Sequence, residues 1–197
     1  MSINETLRVD DEDRPLRADA RRNRERILES ARAAFAETGV ETQMDDVARR
    51  AGVGVGTVYR HFPTKDALLT ELVRQKFEQM ADDARASIAN DVEQFEVLEA
   101  FLRRSAAATA QDVGMQFAIA NVGEEVWTQA PVELAELIAA LGAMVEGARR
   151  AGTIRPDIEA IDIGMLMCAV CSTMGPASEF DWRRHLDLVI DILRPRL

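Results

Sequence analysis

The chain has 197 residues, of which 47% are hydrophobic and 29% charged, as expected of a globular protein with one large or two small domains. No apolar run approaches the roughly 18 residues that span a bilayer, and residues 1–13 are polar and acidic rather than an apolar signal segment. We therefore expect a cytoplasmic protein without a membrane partner. With only 2 cysteines and 2 histidines, we expect no disulfide framework, no metal site and no cofactor.

The charges are unevenly distributed along the chain. A net charge of −10 taken alone disfavours a nucleic-acid partner. Residues 14–76, however, hold 13 Lys and Arg against 9 Asp and Glu, whereas residues 77–197 hold 10 against 20. A basic N-terminal third on an acidic body would attract a phosphate backbone at one end only. Chance asymmetry is the alternative, and charge alone does not decide between the two.

The N-terminal region predicts an arm followed by a helix. Residues 1–18 are charged and poor in large apolar groups, which predicts a flexible arm. From Asp19 onward apolar residues recur at helical spacing, and Gly39 is a plausible stop. Thr42 and Asp45 have the spacing of a capping box, which predicts that Thr42 caps the next helix.

Residues 42–65 have the layout of a helix-turn-helix. A short helix ends at Gly52, where a tight turn requires positive φ. The next helix buries Val58 and Phe62, which are four residues apart, and a proline follows it. Because a helix-turn-helix places its second helix in the major groove, we predict a DNA-binding domain over residues 19–66.

The predicted DNA contacts are the small, hydroxyl-bearing and cationic residues of this motif. Two glycines at the start of the second helix cost about 1 kcal/mol each relative to alanine, which a close approach to DNA would explain. Thr57 can bond a phosphate or a base edge, and the Val55 methyl groups can meet thymine. The predicted contacts are Thr42, Gly54, Val55, Gly56, Thr57, Tyr59, Arg60, His61 and Lys65.

Six arginines precede the motif, at positions 14, 17, 21, 22, 24 and 26. They could let an N-terminal arm touch phosphates or the minor groove. A solvated helix face is the alternative, and it is at least as well supported for Arg24 and Arg26.

The rest of the chain, residues 67–197, is predicted to be a helical effector-binding and dimerisation domain. Further helices are expected near residues 64–80, 95–102, 115–119, 132–150, 158–174 and 180–193. No strand alternation and no internal repeat is found. The prediction is therefore an all-α protein of about nine helices.

The last predicted helix is apolar on two sides. Leu188 and Ile192 form one stripe, and a second stripe runs along the other side. A helix that is apolar on two sides needs cover on both, so we predict a homodimer, although a helix buried in a large core is the alternative. The predicted interface residues are Val170, Leu186, Val189, Ile190 and Leu193.

Methionine and aromatic residues in the C-terminal part suit an adaptable apolar pocket. Taken one by one, each is more often a core residue. The candidate pocket residues are Phe77, Met80, Phe101, Met115, Phe117, Trp127 and Met144. Cys168 and Cys171 are interpreted as small apolar residues on a buried helix face, because zinc needs about four ligands and no second pair exists.

The stretch from residue 24 to residue 69 resembles the tetracycline-repressor (TetR) family of bacterial regulators, most clearly in Ala-Gly-Val…Gly-Thr-Val-Tyr-Arg-His-Phe…Lys-Asp-Ala-Leu. The resemblance implies an all-helical homodimer whose first three helices bind an operator and whose divergent C-terminal helices hold an effector pocket and the dimer interface. By position, the residues that match family phosphate contacts are Thr42, Thr57, Tyr59, His61 and Lys65. The residues that match positions near the bases are Val55 and Gly56.

This chain departs from the family at two of the matched positions. Position 55 carries valine and position 45 aspartate, where relatives can carry polar or basic side chains. Direct base readout is therefore expected to be sparse, with DNA deformability contributing to specificity.

The sequence as a whole predicts a repressor that a small apolar effector releases from a palindromic operator in the bacterial cytoplasm, where the DNA-bound form is part of the nucleoid. The alternative is a dimeric DNA-binding protein without ligand regulation. No nucleophile elbow and no Gly-rich phosphate loop is present, so we do not expect an enzyme.

Overall fold

The computed structural model describes residues 9–88, 94–122, 131–175 and 178–195. Within these ranges the chain forms nine α-helices and no strand, which confirms the predicted all-α class. The helices are α1 (Val9–Thr38), α2 (Met44–Ala51), α3 (Val55–His61), α4 (Lys65–Ile88), α5 (Gln94–Ala110), α6 (Val113–Asn121), α7 (Pro131–Arg150), α8 (Ala160–Cys171) and α9 (Trp182–Leu193). None of them is long and apolar enough to cross a membrane.

The chain divides into two compact units, and the division falls inside α4, between Leu68 and Leu69. The first unit contains α1 to α3 and the start of α4. The second contains the rest of α4 and helices α5 to α9.

Helix α1 begins earlier than the sequence pattern suggested. It starts at Val9 rather than at Asp19, so residues 9–18, which the pattern placed before the first helix, are part of it. The flexibility of residues 1–18 stays a prediction. Low apolar content shows that this segment cannot build a core, but it does not prevent a charged helix.

Helices α1, α2 and α3 share a small apolar core. Helix α2 packs against α1, and α3 packs against α2. Helix α3 has only seven residues, and Val58 is its only fully buried one. Phe62, directly after it, is also buried. The other large core side chains are Ile27, Leu28, Phe35, Met44 and Val47.

Gly52 makes the tight turn between α2 and α3. Its backbone is left-handed, with φ 65° and ψ 35°. The Gly52 N–H donates to the Arg49 carbonyl at 3.3 Å, and the Val53 N–H donates to the Ala48 carbonyl at 3.1 Å. These two bonds form a Schellman motif, which satisfies carbonyls that the end of α2 would leave unpaired. The predicted positive φ at Gly52 is confirmed.

Thr42 does not cap α2, so that prediction is wrong. The N-cap is Gln43, whose backbone N–H donates to Asp46 Oδ2 at 3.3 Å. The Thr42 side chain is only 2% exposed, and its hydroxyl lies 2.7 Å from Thr38 Oγ1 and 3.2 Å from the Ala34 carbonyl oxygen. A threonine one residue before the cap is used here to join the end of α1 to the following turn.

In the second unit α5 is the central helix. It contacts α6, α7 and α8, and α8 also packs against α7 and α9. Phe95, Leu98, Phe101 and Leu102 are buried on one face of α5, as its spacing predicted. Helix α8 begins at Ala160, after the cap Glu159, which is later than the predicted 158.

The predicted dimer-interface residues are wrong as a set, because all five are buried in the core of the second unit. None of Val170, Leu186, Val189, Ile190 and Leu193 is more than 3% exposed. The second apolar stripe of α9 is the exposed one, with Leu188 at 48% and Ile192 at 52%. The spacing identified two stripes correctly, but it could not tell which one the protomer's own core covers.

Substitutions at two glycines should have opposite effects on stability. Alanine at Gly52 must adopt a left-handed backbone, so Gly52→Ala should lower the free energy of unfolding by about 1–2 kcal/mol. Gly56 lies inside α3 without positive φ, and a Cβ there would meet no atom within 4 Å. Gly56→Ala should therefore raise the free energy of unfolding by about 0.5–1 kcal/mol. Urea unfolding followed by circular dichroism measures both, and a shared sign would contradict this assignment of backbone strain.

Candidate nucleic-acid interface and ligand cavity

One side of α3 is exposed and carries four residues at helical spacing, Val55, Gly56, Tyr59 and Arg60. We call this the exposed face of α3. Val55 is 41% exposed and Tyr59 48% exposed, which is high for large apolar and aromatic side chains. Val58 is completely buried on the other side of the helix. The burial of Val58 thus determines which residues α3 presents to solvent.

Neither packing nor backbone strain explains the two glycines at the start of α3. A Cβ at Gly54 or Gly56 would meet no atom within 4 Å, and neither residue has positive φ. Inside the helix, Gly56 costs about 1 kcal/mol relative to alanine, whereas Gly54 is the N-cap of α3, a position at which glycine is preferred to alanine. The missing side chains leave the backbone open to close approach by another molecule.

Thr57 and His61 are half-buried at the edges of the exposed face of α3. The Thr57 backbone N–H donates to the Gly54 carbonyl at 2.8 Å, which closes the first turn of the helix. The His61 ring lies with its centroid 6.3 Å from that of Phe62. Their positions let the Thr57 hydroxyl and the imidazole reach a ligand beside the face rather than one directly above it.

Lys65, at the start of α4, is held by the first unit. Its Nζ donates to the Val40 carbonyl at 2.7 Å and lies 5.5 Å from the centroid of the Phe35 ring. Thr64 caps this helix by accepting from the Ala67 N–H at 3.0 Å. An ammonium has three donors, so Lys65 can keep its internal bond and still offer a proton to an anion.

Thr42 is the one predicted DNA contact that lies inside the protein. Its hydroxyl is hydrogen-bonded to the Thr38 hydroxyl and to the Ala34 carbonyl, and the buried side chain has no surface that could contact a phosphate. Two arginines of α1 also have partners within the helix. Arg21 and Arg22 pair with Glu25 and Asp19 respectively.

Arg24 lies over the Phe62 ring, with its guanidinium carbon 4.6 Å from the ring centroid. This contact gives Arg24 a structural role in covering the residue that anchors the end of α3. It favours the structural alternative that the sequence left open for Arg24.

The second unit contains an apolar cavity of about 550 Å³. Its wall comes from helices α4 to α8. Apart from a few hydroxyl, thiol and amide groups, the lining is aliphatic, aromatic or methionine, and Lys76 is the only charged residue among the described lining residues. A cavity of this size and character suits an apolar small molecule.

The sequence identified part of this lining. Phe77, Met80 and Phe101 line the cavity, whereas Met115, Phe117 and Met144 do not. Met115 and Met144 are core residues, at most 1% exposed. Trp127 lies outside the described residues.

The sequence interpretation missed the contributions of α7 and α8. Helix α7 supplies Leu134, Leu137, Ile138 and Leu141, residues that its periodicity identified only as an apolar stripe. A stripe that faces a cavity and one that faces a packed core have the same spacing.

Part of the cavity wall that α8 and its C-cap supply also reaches solvent. This part consists of Ile161, Met165, Cys168 and Ser172, and Met165 is 67% exposed. The interpretation of the two cysteines as buried is therefore wrong for Cys168, which is exposed; Cys171 is half-buried. Desolvation raises the pKa of both thiols, that of Cys171 to about 11, so both stay protonated near neutral pH.

Ion pairs connect α4 to α7 beside this cavity. Arg74 donates to both carboxylate oxygens of Glu71 at 2.9 Å and also bonds Glu133 on α7. Arg85, further along α4, pairs with Asp82 and reaches Glu136 on α7 at 3.5 Å. The hydrogen bond to Glu71 is the main cause that raises the pKa of Arg74. Movement of α4 against α7 would have to rearrange these pairs.

Sequence comparison matches both parts of the chain to one family. A profile described as bacterial regulatory proteins of the tetR family matches residues 27–72, and one described as the C-terminal domain of SbtR-like transcriptional regulators matches residues 93–195. The chain belongs to the TetR family. It is thus a DNA-binding transcriptional regulator whose helix-turn-helix is formed by α2 and α3.

Solved structures and curated relatives agree with this assignment. The TetR-family regulatory protein from Mycobacterium vanbaalenii is 38% identical, with a TM-score of 0.62, and the match covers 92% of this chain and 100% of that one. An HTH-type transcriptional regulator of Staphylococcus aureus (strain USA300) is 40% identical over 76 residues. Those residues are 34% of this chain and 41% of that protein, so the match spans less than half of the curated relative.

A more distant structure shares the fold. Thermus thermophilus FadR, a TetR-family transcriptional repressor in complex with lauroyl-CoA, is 23% identical, with a TM-score of 0.64. That match covers 88% of this chain and 97% of that one.

Proposed function

We propose that this TetR-family regulator is a homodimeric repressor in the bacterial cytoplasm that binds a palindromic operator and is released from it by a small apolar effector. The observation that carries the DNA-binding half is the exposed face of α3. This face combines Gly56, a glycine that the fold does not require, with an exposed valine, tyrosine and arginine.

We assign the residues of this face by their chemistry. The backbone at Gly54 and Gly56 approaches the floor of the major groove, and the Val55 methyl groups meet thymine. Arg60 and Tyr59 reach phosphates or a guanine edge, and Thr57, His61 and Lys65 bond flanking phosphates. Thr42 is left out because its hydroxyl is buried. With glycine at both positions, no side chain there reads the base edges, and the backbone lies close to the DNA instead. DNA shape therefore contributes to specificity.

A homodimer would place two α3 helices in successive major grooves and match the symmetry of a palindrome. We propose that the contact uses the exposed stripe of α9, Leu188 and Ile192, in place of the buried stripe first predicted. These two large aliphatic side chains are about half-exposed on one stripe of the helix. An isologous helix-to-helix contact would bury them against the same stripe of the partner.

We propose that the effector occupies the cavity of the second unit and acts through α4. This helix begins beside the helix-turn-helix, at Lys65, and its later residues Val73, Phe77 and Met80 line the cavity. A ligand that binds more tightly when α4 has moved away from α7 would stabilise this displaced position of α4. The displacement of α4 in both protomers would then separate the two DNA-binding units of the dimer. The lauroyl-CoA complex of the Thermus protein is precedent within the fold for a ligand with a long apolar chain.

Removal of the Arg60 charge should weaken DNA binding and its dependence on salt. The probe is the duplex that the protein enriches from a random-sequence pool. Arg60→Ala should reduce affinity at least tenfold and lower the slope of log K against log salt by about 1.8, because the dimer loses one phosphate contact in each half-site. Arg150→Ala, which removes an exposed charge at the end of α7, is the matched control and should leave both quantities unchanged. Equal behaviour of the two variants would remove Arg60 from the interface.

The assigned dimer contact is tested by a charge placed in the exposed stripe of α9. Ile192→Asp should give a folded monomer, because aspartate desolvated at an apolar contact is unfavourable while the protomer core is untouched. Val132→Asp changes an equally exposed aliphatic residue on α7 and should stay dimeric. Light scattering after size-exclusion chromatography measures the mass, and circular dichroism checks the fold. A dimeric Ile192→Asp variant would place the contact elsewhere.

A further inference from the structure

We infer that the effector is an apolar chain that ends in one carboxylate, and that the Lys76 ammonium pairs with this carboxylate inside the cavity. The inference rests on the proposed ligand-binding role of the cavity and specifies the chemistry of its ligand. It is carried by the position of a lysine within the apolar face that α4 turns toward the cavity.

Lys76 lies in the stripe of α4 that lines the cavity. This stripe consists of Val73, Lys76, Phe77 and Met80, whose spacing places all four residues on one face of the helix. The other three residues are apolar, and an apolar residue would continue the pattern at position 76. Lys76 is half-buried there. It therefore belongs to the cavity wall rather than to the charged side of the helix.

The cavity wall supplies no acidic partner for a bound cation, but it does supply a positive charge. Arg74 and Arg85, the other described cations in the second-unit part of α4, pair with carboxylates of α4 and α7 outside the cavity lining. The described lining contains Lys76 and no aspartate or glutamate. Within this part of the wall a ligand thus meets one positive charge and no negative one.

The Lys76 ammonium lies close to the α8 wall of the cavity. Burial is the main cause that raises the pKa of the Cys171 thiol, and the charge of Lys76 counteracts this rise. A charge has such an effect only on a nearby group, and Cys171 lines the cavity at the end of α8. An ammonium has three donors, so Lys76 can keep the contacts that it makes within the protein and still donate to a ligand.

A carboxylate at the end of an apolar chain matches both properties of this wall. The aliphatic side chains of α7, Leu137, Ile138 and Leu141, would bury the chain. A carboxylate in an otherwise apolar wall is unfavourable unless it is paired, and a charge-assisted hydrogen bond from Lys76 provides the partner. A cationic ligand would be repelled by the same ammonium, and a neutral one would gain nothing from its charge.

The test compares three series of ligands that differ only in the terminal group. Titration calorimetry of the full chain is performed with straight-chain carboxylates from octanoate to dodecanoate, and with the alcohols and amines of the same chain lengths, all below micelle-forming concentrations. The wild-type protein should bind the best carboxylate at least about tenfold more tightly than the matching alcohol, because hydrogen bonds to charged groups are the stronger ones. The matching amine should bind most weakly.

Three variants separate the charge of Lys76 from other effects. Lys76→Met keeps the length of the side chain and suits an apolar stripe, and it should weaken carboxylate binding at least about tenfold while leaving alcohol binding within about twofold. Lys76→Arg keeps the charge and should keep the preference for the carboxylate. Arg104→Met removes an exposed cation of α5 that lies outside the described lining, and it should also keep the preference.

Each outcome of this experiment has a distinct meaning. Equal binding of carboxylates and alcohols by the wild type overturns the role of Lys76 but leaves the cavity as a ligand site. Binding of none of the three series overturns the cavity as a site for such an effector, and the present inference with it. Equal losses of carboxylate and alcohol binding in Lys76→Met assign a structural role to Lys76 and overturn the inference. Loss of the preference in Arg104→Met attributes it to the overall charge of the protein, which also overturns the inference.

A structure of the wild-type protein with the tightest carboxylate provides a check that does not require the variants to fold. A carboxylate oxygen should lie within hydrogen-bond distance of Lys76 Nζ, with the chain inside the cavity. A chain bound with its carboxylate directed away from Lys76 would contradict the inference.

Discussion

The burial of Val58, with Phe62 directly after it, is the constraint on which the rest of the DNA-binding unit depends. Helix α3 is too short to be stable by itself, because nucleation is costly and seven residues close few hydrogen bonds. Its position is held by the apolar anchors that it places against the core, by Arg24 over the Phe62 ring, and by the Gly52 turn that directs the chain away from α2. The exposed face of α3 is a consequence of this anchoring.

The same constraint explains why the unit tolerates an unfavourable glycine at position 56. The packing of α3 depends on one side of the helix, so the other side can be chosen for what it contacts rather than for helix propensity. The fold does not require glycine at position 56, since a Cβ there would meet no atom within 4 Å. A natural sequence that keeps a local cost of this kind usually does so at a functional surface.

Much of this arrangement could be predicted from the sequence, and the failures have physical causes. The turn at Gly52, the anchors Val58 and Phe62 and the Thr64 cap follow from local chemistry, which the residues themselves carry. Thr42 and Gln43 are adjacent, and which of them caps α2 depends on the backbone conformation at a single residue. The Thr38 hydroxyl and the Ala34 carbonyl, which hold the Thr42 hydroxyl inside the fold, both belong to α1, four and eight residues before it, and a capping rule does not examine them.

The second unit was harder to predict because periodicity reports that a stripe is apolar but not what covers it. Leu186 and Ile192 both lie on apolar stripes of α9, yet the core covers the first and solvent the second. The same ambiguity hid the α7 and α8 walls of the cavity.

In the proposed complex, two copies of α3 from one dimer lie in neighbouring major grooves, with their glycine-rich starts against the bases. Hydroxyl-radical footprinting on a duplex enriched from random DNA would reveal this arrangement. We expect two protected segments of equal length, related by two-fold symmetry and centred about one helical turn apart. A single protected segment, or uniform protection with no preferred position, would contradict it.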